Sequence, residues 1–211
     1  MAQAKASYDE NEFIVKIANV RLSYPHLFEP FAGKAEPGKA PPKPKYSAVG
    51  MLDKKDPAQV AQCKAIKAKI DELIRVCGKF TTGGIPKGDK LCLRNGDDAS
   101  TPEYEGHWTF KASESARPWV LDRDGKTPIM KEDEDEKMYP GVYVNLLVKL
   151  WPQNNEHGKR INANLIGVQF VKKGERIGSA RMSEDEVRGH FGAVDGDEDS
   201  IGSIDDDPLG V

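Results

Sequence analysis

Apolar and polar residues alternate with a period of two along most of this chain, the spacing of strands that bury one face. Glu12 to Ser23 is the first such stretch: Phe13, Val15 and Ile17 alternate with Ile14, Lys16 and Ala18 and predict a strand. In the next segment, Tyr24-Pro25-His26-Leu27-Phe28-Glu29-Pro30-Phe31, the prolines are expected to interrupt any ladder. Residues 32–45 are rich in Pro and Gly and read as a loop, partly polyproline-like. Tyr46 to Leu52 resumes as a strand. The period then changes. Val60, Cys63, Ile66, Ile70, Leu73, Ile74 and Cys77 recur at helical spacing, with Asp56 as N-cap, Pro57 at the first helical position and Gln59 completing a capping box; Gly78 ends the helix.

Beyond this helix the period returns to two. Lys90 to Arg94 is a short strand closed by the turn Asn95-Gly96. His107 to Ala112 and Arg117 to Leu121 follow, with Asp124-Gly125 as a turn and residues 132–136 as an acidic loop. Gly141 to Trp151 and Ile161 to Lys172 are the two longest strand candidates, joined by a hairpin over residues 153–158, and Ser183 to Phe191 reads as a short terminal helix. Many short strands, one helix and Gly/Pro-rich turns predict a mainly β domain. An OB-fold-like Greek-key barrel with one inserted amphipathic helix fits the element count, and a generic sandwich fits it nearly as well.

Composition adds a division of the chain. Of 211 residues, 38% are hydrophobic, below the usual globular share of about 45–50%. Residues 194–211 hold seven acids and no Lys or Arg; removing those seven charges from the net −3 leaves residues 1–193 at +4. The end is also poor in large apolar groups, which predicts a disordered acidic tail. We therefore divide the chain into a nucleic-acid-binding domain, 1–182, and an acidic tail, 183–211. A mildly basic body with an acidic appendage is a sequence cue for nucleic-acid binding.

The chemistry of other classes is missing from the pattern. Cys63, Cys77 and Cys92 form no CxxC pair and the four histidines are scattered, so no zinc site is expected and the thiols read as buried in a reducing compartment. No apolar run approaches a membrane span and the N-terminus lacks a secretory pattern, so a cytoplasmic protein is expected. The chain has no G-x-S-x-G, Walker loop or dinucleotide fingerprint, and its carboxylates fall in solvated runs, which argues against an enzyme. Binding single-stranded nucleic acid needs cations for phosphates and rings for bases. The candidates are Lys43, Lys45, Lys79, Lys87, Lys111, Arg117 and Arg160, with Tyr46, Phe80 and Trp119 for stacking. Trp108 and Phe110 share strand parity and read as core, which leaves Lys111 facing outward. Lys64, Lys67, Lys69 and Arg75 lie off the apolar helix face and read as a solvated surface.

Four blocks resemble a known family: Arg21-Leu22-Ser23-Tyr24-Pro25-His26-Leu27-Phe28, Ala116-Arg117-Pro118, Met138-Tyr139-Pro140-Gly141-Val142-Tyr143-Val144-Asn145 and Ala163-Asn164-Leu165-Ile166-Gly167-Val168-Gln169-Phe170. They look like phage single-stranded DNA-binding proteins, over about residues 10–180. The resemblance implies an OB-fold, DNA as ligand in preference to RNA, a role in phage replication or recombination in the host cytoplasm, and no cofactor. Ile204 to Val211 is similar to the acidic tips of bacterial single-stranded DNA-binding proteins, with Leu209 and Val211 where those tips carry an aromatic. Asp205, Asp206, Asp207 and Leu209 are thus expected to compete with DNA or contact replication and recombination proteins. Weaker duplex binding is a further expectation. Two other readings stand beside this one: a protein-interaction module without a DNA role, and a metal-dependent nuclease.

Overall fold

The computed structural model describes residues 9–33, 41–81, 83–178 and 188–191. By its internal contacts the chain forms two units, Met1–Gly178 and Ser179–Val211. Of the second unit only residues 188–191 are described, so the expected helix over 183–191 and the acidic tail fall largely outside the described residues.

The first unit is built from β1 (Ile14–Phe31), β2 (Lys45–Asp53), α1 (Pro57–Val76), β3 (Leu93–Asn95), β4 (His107–Glu114), β5 (Trp119–Leu121), α2 (Glu134–Lys137), β6 (Tyr143–Asn155) and β7 (Gly158–Lys172). The strands form one seven-stranded sheet in the order β3-β4-β2-β1-β6-β7-β5, antiparallel except for the β5–β7 pair. The ladder does not close. A single bridge, Leu91 to Ile161, joins the chain just ahead of β3 to the first half of β7, while β5 takes the second half of that same edge. The mainly β, OB-like expectation therefore holds in an open sheet that curls back on itself.

Alternation dictates the core. Val144, Leu146, Val148 and Leu150 of β6 turn inward to meet Ile161, Ala163, Leu165 and Val168 of β7, with Val20 and Leu22 of β1 and Phe110 of β4. Fully burying one such side chain contributes about 1.5–3 kcal/mol. Cys63, Ile66, Ile70 and Leu73 of α1 are buried in the same core, as the helical spacing predicts.

The structure changes four local expectations. First, β1 does not stop at Ser23 but runs on through Pro25 and Pro30 to Phe31. Its pairing with β2 shifts register between Ser23 and His26 and again between His26 and Phe31, so the prolines sit where the ladder is already broken. Second, Gln59 does not close a capping box. Asp56 caps α1 by accepting from the Ala58 and Gln59 amides, whereas the Gln59 side chain accepts from the Asp53 amide at 2.6 Å. Third, the acidic run 132–136 is not a plain loop, because a 3-10 turn (Lys131–Asp133) leads into α2. Fourth, β1, β6 and β7 run past one end of their predicted bounds, to 18, 13 and 15 residues.

Candidate nucleic-acid interface

A groove of about 1000 Å³ lies between α1 and the strands β1, β2, β4 and β3. Strand parity selects its floor. Ser47 and Val49 of β2, and Thr109 and Lys111 of β4, line it, while their neighbours Ala48, Phe110 and Ala112 point into the core. Val49 pairs with Lys111 and His26 with Ser47, so the floor continues sideways onto β1.

Tyr24, His26 and Phe31 come from the proline-broken end of β1, Tyr104 from the turn ahead of β4, and Trp108, expected in the core, lines the groove half-buried from β4. Tyr24 has φ +43°, a left-handed conformation that a bulky residue ahead of proline seldom adopts. It sits in the register break, and its ring meets Tyr104 edge-on at 6.4 Å and 76°. The Tyr104 hydroxyl lies 3.4 Å from Ser23 Oγ, and burial raises the phenol's pKa, so the ring stays neutral. His26 and Phe31 stack with centroids 4.6 Å apart and planes within 9°. Partial burial lowers the His26 pKa, which keeps the imidazole uncharged near neutral pH. Tyr24 and Phe31 remain 57% and 54% exposed, open platforms rather than core rings.

The cations come from three elements. Lys64 and Lys67 of α1, Arg94 of β3 and Lys111 of β4 all line the groove. Lys67 is held by Asp71 at 2.5 Å, and Arg94 donates Nε–H to the Leu91 carbonyl at 2.9 Å. Lys64 and Lys111 have no carboxylate partner among the described residues. Asp71, Asp89 and Asp98 line the groove beside these cations. A hydrogen bond from Lys90 at 2.8 Å, then the charges of Lys90, Arg160 and Arg94, hold the Asp89 carboxyl below the usual range.

The residues predicted from sequence are distributed as follows. Lys111 lines the groove, and Lys45 pairs in register with Phe31 at its end; Lys43 is exposed just ahead of Lys45. Arg160 reaches the groove electrostatically through Asp89. Lys79 and Lys87 are exposed on the loop after α1, with the Lys79 ammonium donating to the Pro152 carbonyl at 3.1 Å. Phe80 is half-buried against the core and Tyr46 has the parity of Ala48, so neither ring lies in the groove. Arg117 and Trp119 lie at the β5 edge, where the Arg117 guanidinium covers the Phe28 ring at 5.2 Å; they too are outside the groove. Asp205, Asp206, Asp207 and Leu209 fall outside the described residues.

Sequence reasoning missed Tyr24, His26, Phe31 and Tyr104 as groove rings and assigned Lys64 and Lys67 to a solvated face. The available signal was the ring density of residues 24–31, where prolines drew the reading toward a loop. Among the described residues no three of His, Cys, Asp and Glu gather as a metal site, and no helix is long and apolar enough to cross a membrane.

Comparison with known proteins decides the family. The family model described as "Enterobacter phage Enc34, ssDNA-binding protein" matches residues 13–201. The chain belongs to this family. Two solved structures of its bacteriophage Enc34 member are similar. The single-stranded DNA-binding protein in complex with ssDNA is 33% identical, with TM-score 0.66, covering 82% of this chain and 97% of that one. A second structure, of the single-stranded DNA-binding protein from bacteriophage Enc34, is 30% identical, with TM-score 0.65 and coverages of 87% and 97%. "Putative protein p50" of Acyrthosiphon pisum secondary endosymbiont phage 1 is 32% identical over 164 residues, 76% of this chain and 84% of that protein. The Enc34-family assignment agrees with the resemblance read from the four blocks.

Proposed function

We propose that this protein binds single-stranded DNA without sequence preference, in the groove between α1 and the sheet, and that it does so as a coating protein rather than an enzyme. The observation that carries the reading is the meeting in one groove of exposed Tyr24 and Phe31 rings with Lys64 and Lys111, which have no carboxylate partner among the described residues. Bases stack on the rings whatever their identity, because every base has a π-face. Lys64, Lys111 and Lys45 neutralise phosphates, which release their counterions to bulk solvent, with Arg94 and Arg160 extending the positive track past Asp89. Duplex DNA fits less well, since its bases are not free to stack. In a phage this activity protects exposed strands during replication and recombination. Family membership supports the ligand, and the groove supports the mechanism.

The test is fluorescence anisotropy with single-stranded and duplex oligonucleotides at several salt concentrations. Phe31→Ala lowers single-strand affinity about tenfold, the loss of one stacked base at about 1–3 kcal/mol. Lys111→Glu lowers it too and flattens the plot of log affinity against log salt by about 0.7, one phosphate contact. Unchanged affinity in both variants, or affinity indifferent to salt, would overturn the proposal.

A further inference from the structure

A second feature of the sheet lies outside the groove. Register places Lys16 of β1 opposite Leu147 of β6, Leu147 opposite Gly167 of β7, and Gly167 opposite Trp119 of β5. In-register neighbours share a face, so these residues form one row across four strands. None of them lines the groove. The row is open: Trp119 is 72% exposed and Leu147 39%, with Lys16 exposed at the far end and free of a carboxylate partner among the described residues. Gly167 leaves the centre bare. A Cβ there would lie 3.3 Å from the Trp119 carbonyl oxygen and 3.7 Å from its Cβ, so the indole and Leu147 flank a strip without a side chain.

The strands that carry most of the row bear positive charge. Strands β5, β6 and β7 contain no Asp or Glu, while β6 and β7 carry Lys149, Lys159, Arg160 and Lys172. Glu10, at the 3-10 turn ahead of β1, offsets Lys149 alone, at 3.2 Å. Arg117, two residues before Trp119 in the chain, holds its guanidinium over the Phe28 ring at 5.2 Å. An exposed indole beside a bare strip, on strands free of carboxylates, suits a base and its phosphate.

We infer that the row Lys16, Leu147, Gly167 and Trp119 is a second contact for the same DNA strand, taken by nucleotides beyond those the groove holds. A base lies on the strip at Gly167 and stacks on Trp119, while Lys16 and Arg117 face phosphates. The inference rests on the groove reading, and it makes the footprint on long DNA larger than on short DNA.

The full chain is titrated with an oligothymidylate of about 6 nucleotides, enough for the groove alone, and one of about 30 nucleotides. Trp119→Ala weakens binding of the long strand about five- to tenfold and leaves the short one unchanged. Trp119→Phe, which keeps a π-face, retains most of the affinity. Lys16→Glu behaves like Trp119→Ala and lowers the salt slope for the long strand by about 0.7. Long-strand affinity unchanged in Trp119→Ala overturns the inference. So does an equal loss at both lengths, which would make Trp119 part of the groove path. A change in oligomeric state without DNA, with DNA affinity intact, also overturns it and assigns the row to contacts between copies. Phe31→Ala separates the two readings, because failure of the groove shows there at both lengths.

Discussion

Tyr24 holds a conformation that costs an ordinary residue about 1–3 kcal/mol, and it does so at the mouth of the groove. Its neighbour His26 carries a different cost. Burial lowers its pKa from 6.5, so the unfolded chain binds a proton more readily than the folded one. Stability present near pH 7 is therefore lost as pH falls through that range. Urea unfolding near pH 7 and near pH 5 checks this: His26→Phe, which keeps the stack on Phe31, loses less stability on acidification than the parent protein. Two of the three cysteines, Cys63 and Cys92, are buried as expected, and Cys77 is half-buried. Burial raises Cys63 to about 11 and Cys92 to about 12, so both stay thiols at neutral pH. Iodoacetamide near pH 8 is expected to label half-buried Cys77 first, as mass mapping would reveal; faster labelling of Cys63 would mean that α1 opens readily from the core.

Helix α1 was legible because its signals are local: an N-cap, a proline, a periodic face and a terminal glycine. What seats it was not legible. The Gln62 side-chain amide clasps the Ala18 backbone, accepting from its N–H at 2.7 Å and donating to its carbonyl at 3.0 Å, beside Asn19 at φ +51°. That bulge exists only once β1 pairs with β6. The Met138 to Asn145 block conceals a similar long-range need. Gly141 has φ +112°, donates to the Leu22 carbonyl at 2.7 Å, and a Cβ on it would lie 2.0 Å from the Glu175 carbonyl oxygen. Gly78, at φ +63°, meets nothing within 4 Å. Calorimetry should thus order the two substitutions. Gly141→Ala costs about 3 kcal/mol or more, whereas Gly78→Ala costs about 1–2 kcal/mol for the left-handed backbone alone. Equal losses would mean that residues near 175 yield to the added carbon.

Charge is the property that spans the chain. Residues 194–211 carry seven acids against +4 for the remainder, and a tethered polyanion gains effective concentration at a basic surface that it can reach. We propose that this tail competes with weakly held polyanions. Deleting residues 194–211 then raises affinity for duplex DNA more than for single strands in a gel-shift titration; equal gains, or none, count against competition. The tail also carries Leu209, proposed to contact replication or recombination proteins, which a pull-down with the tail peptide tests.

By itself the sequence determined what neighbours along the chain decide. It marked the period of the strands, the position of α1, the buried thiols, the division of charge and the blocks that identify the family. Lys111 was recognisable as outward-facing because buried Phe110 claims the other parity, although Trp108, read as core with it, lines the groove half-buried. Only the tertiary structure decided which cations and rings share a surface. The groove joins residues from 24 to 111, brought together by β1–β2 and β2–β4 pairing and by α1, while Arg117 and Trp119 go to another edge of the same sheet. Register and curl are set by contacts distant in sequence, and periodicity records which face a residue takes but not what lies beside it.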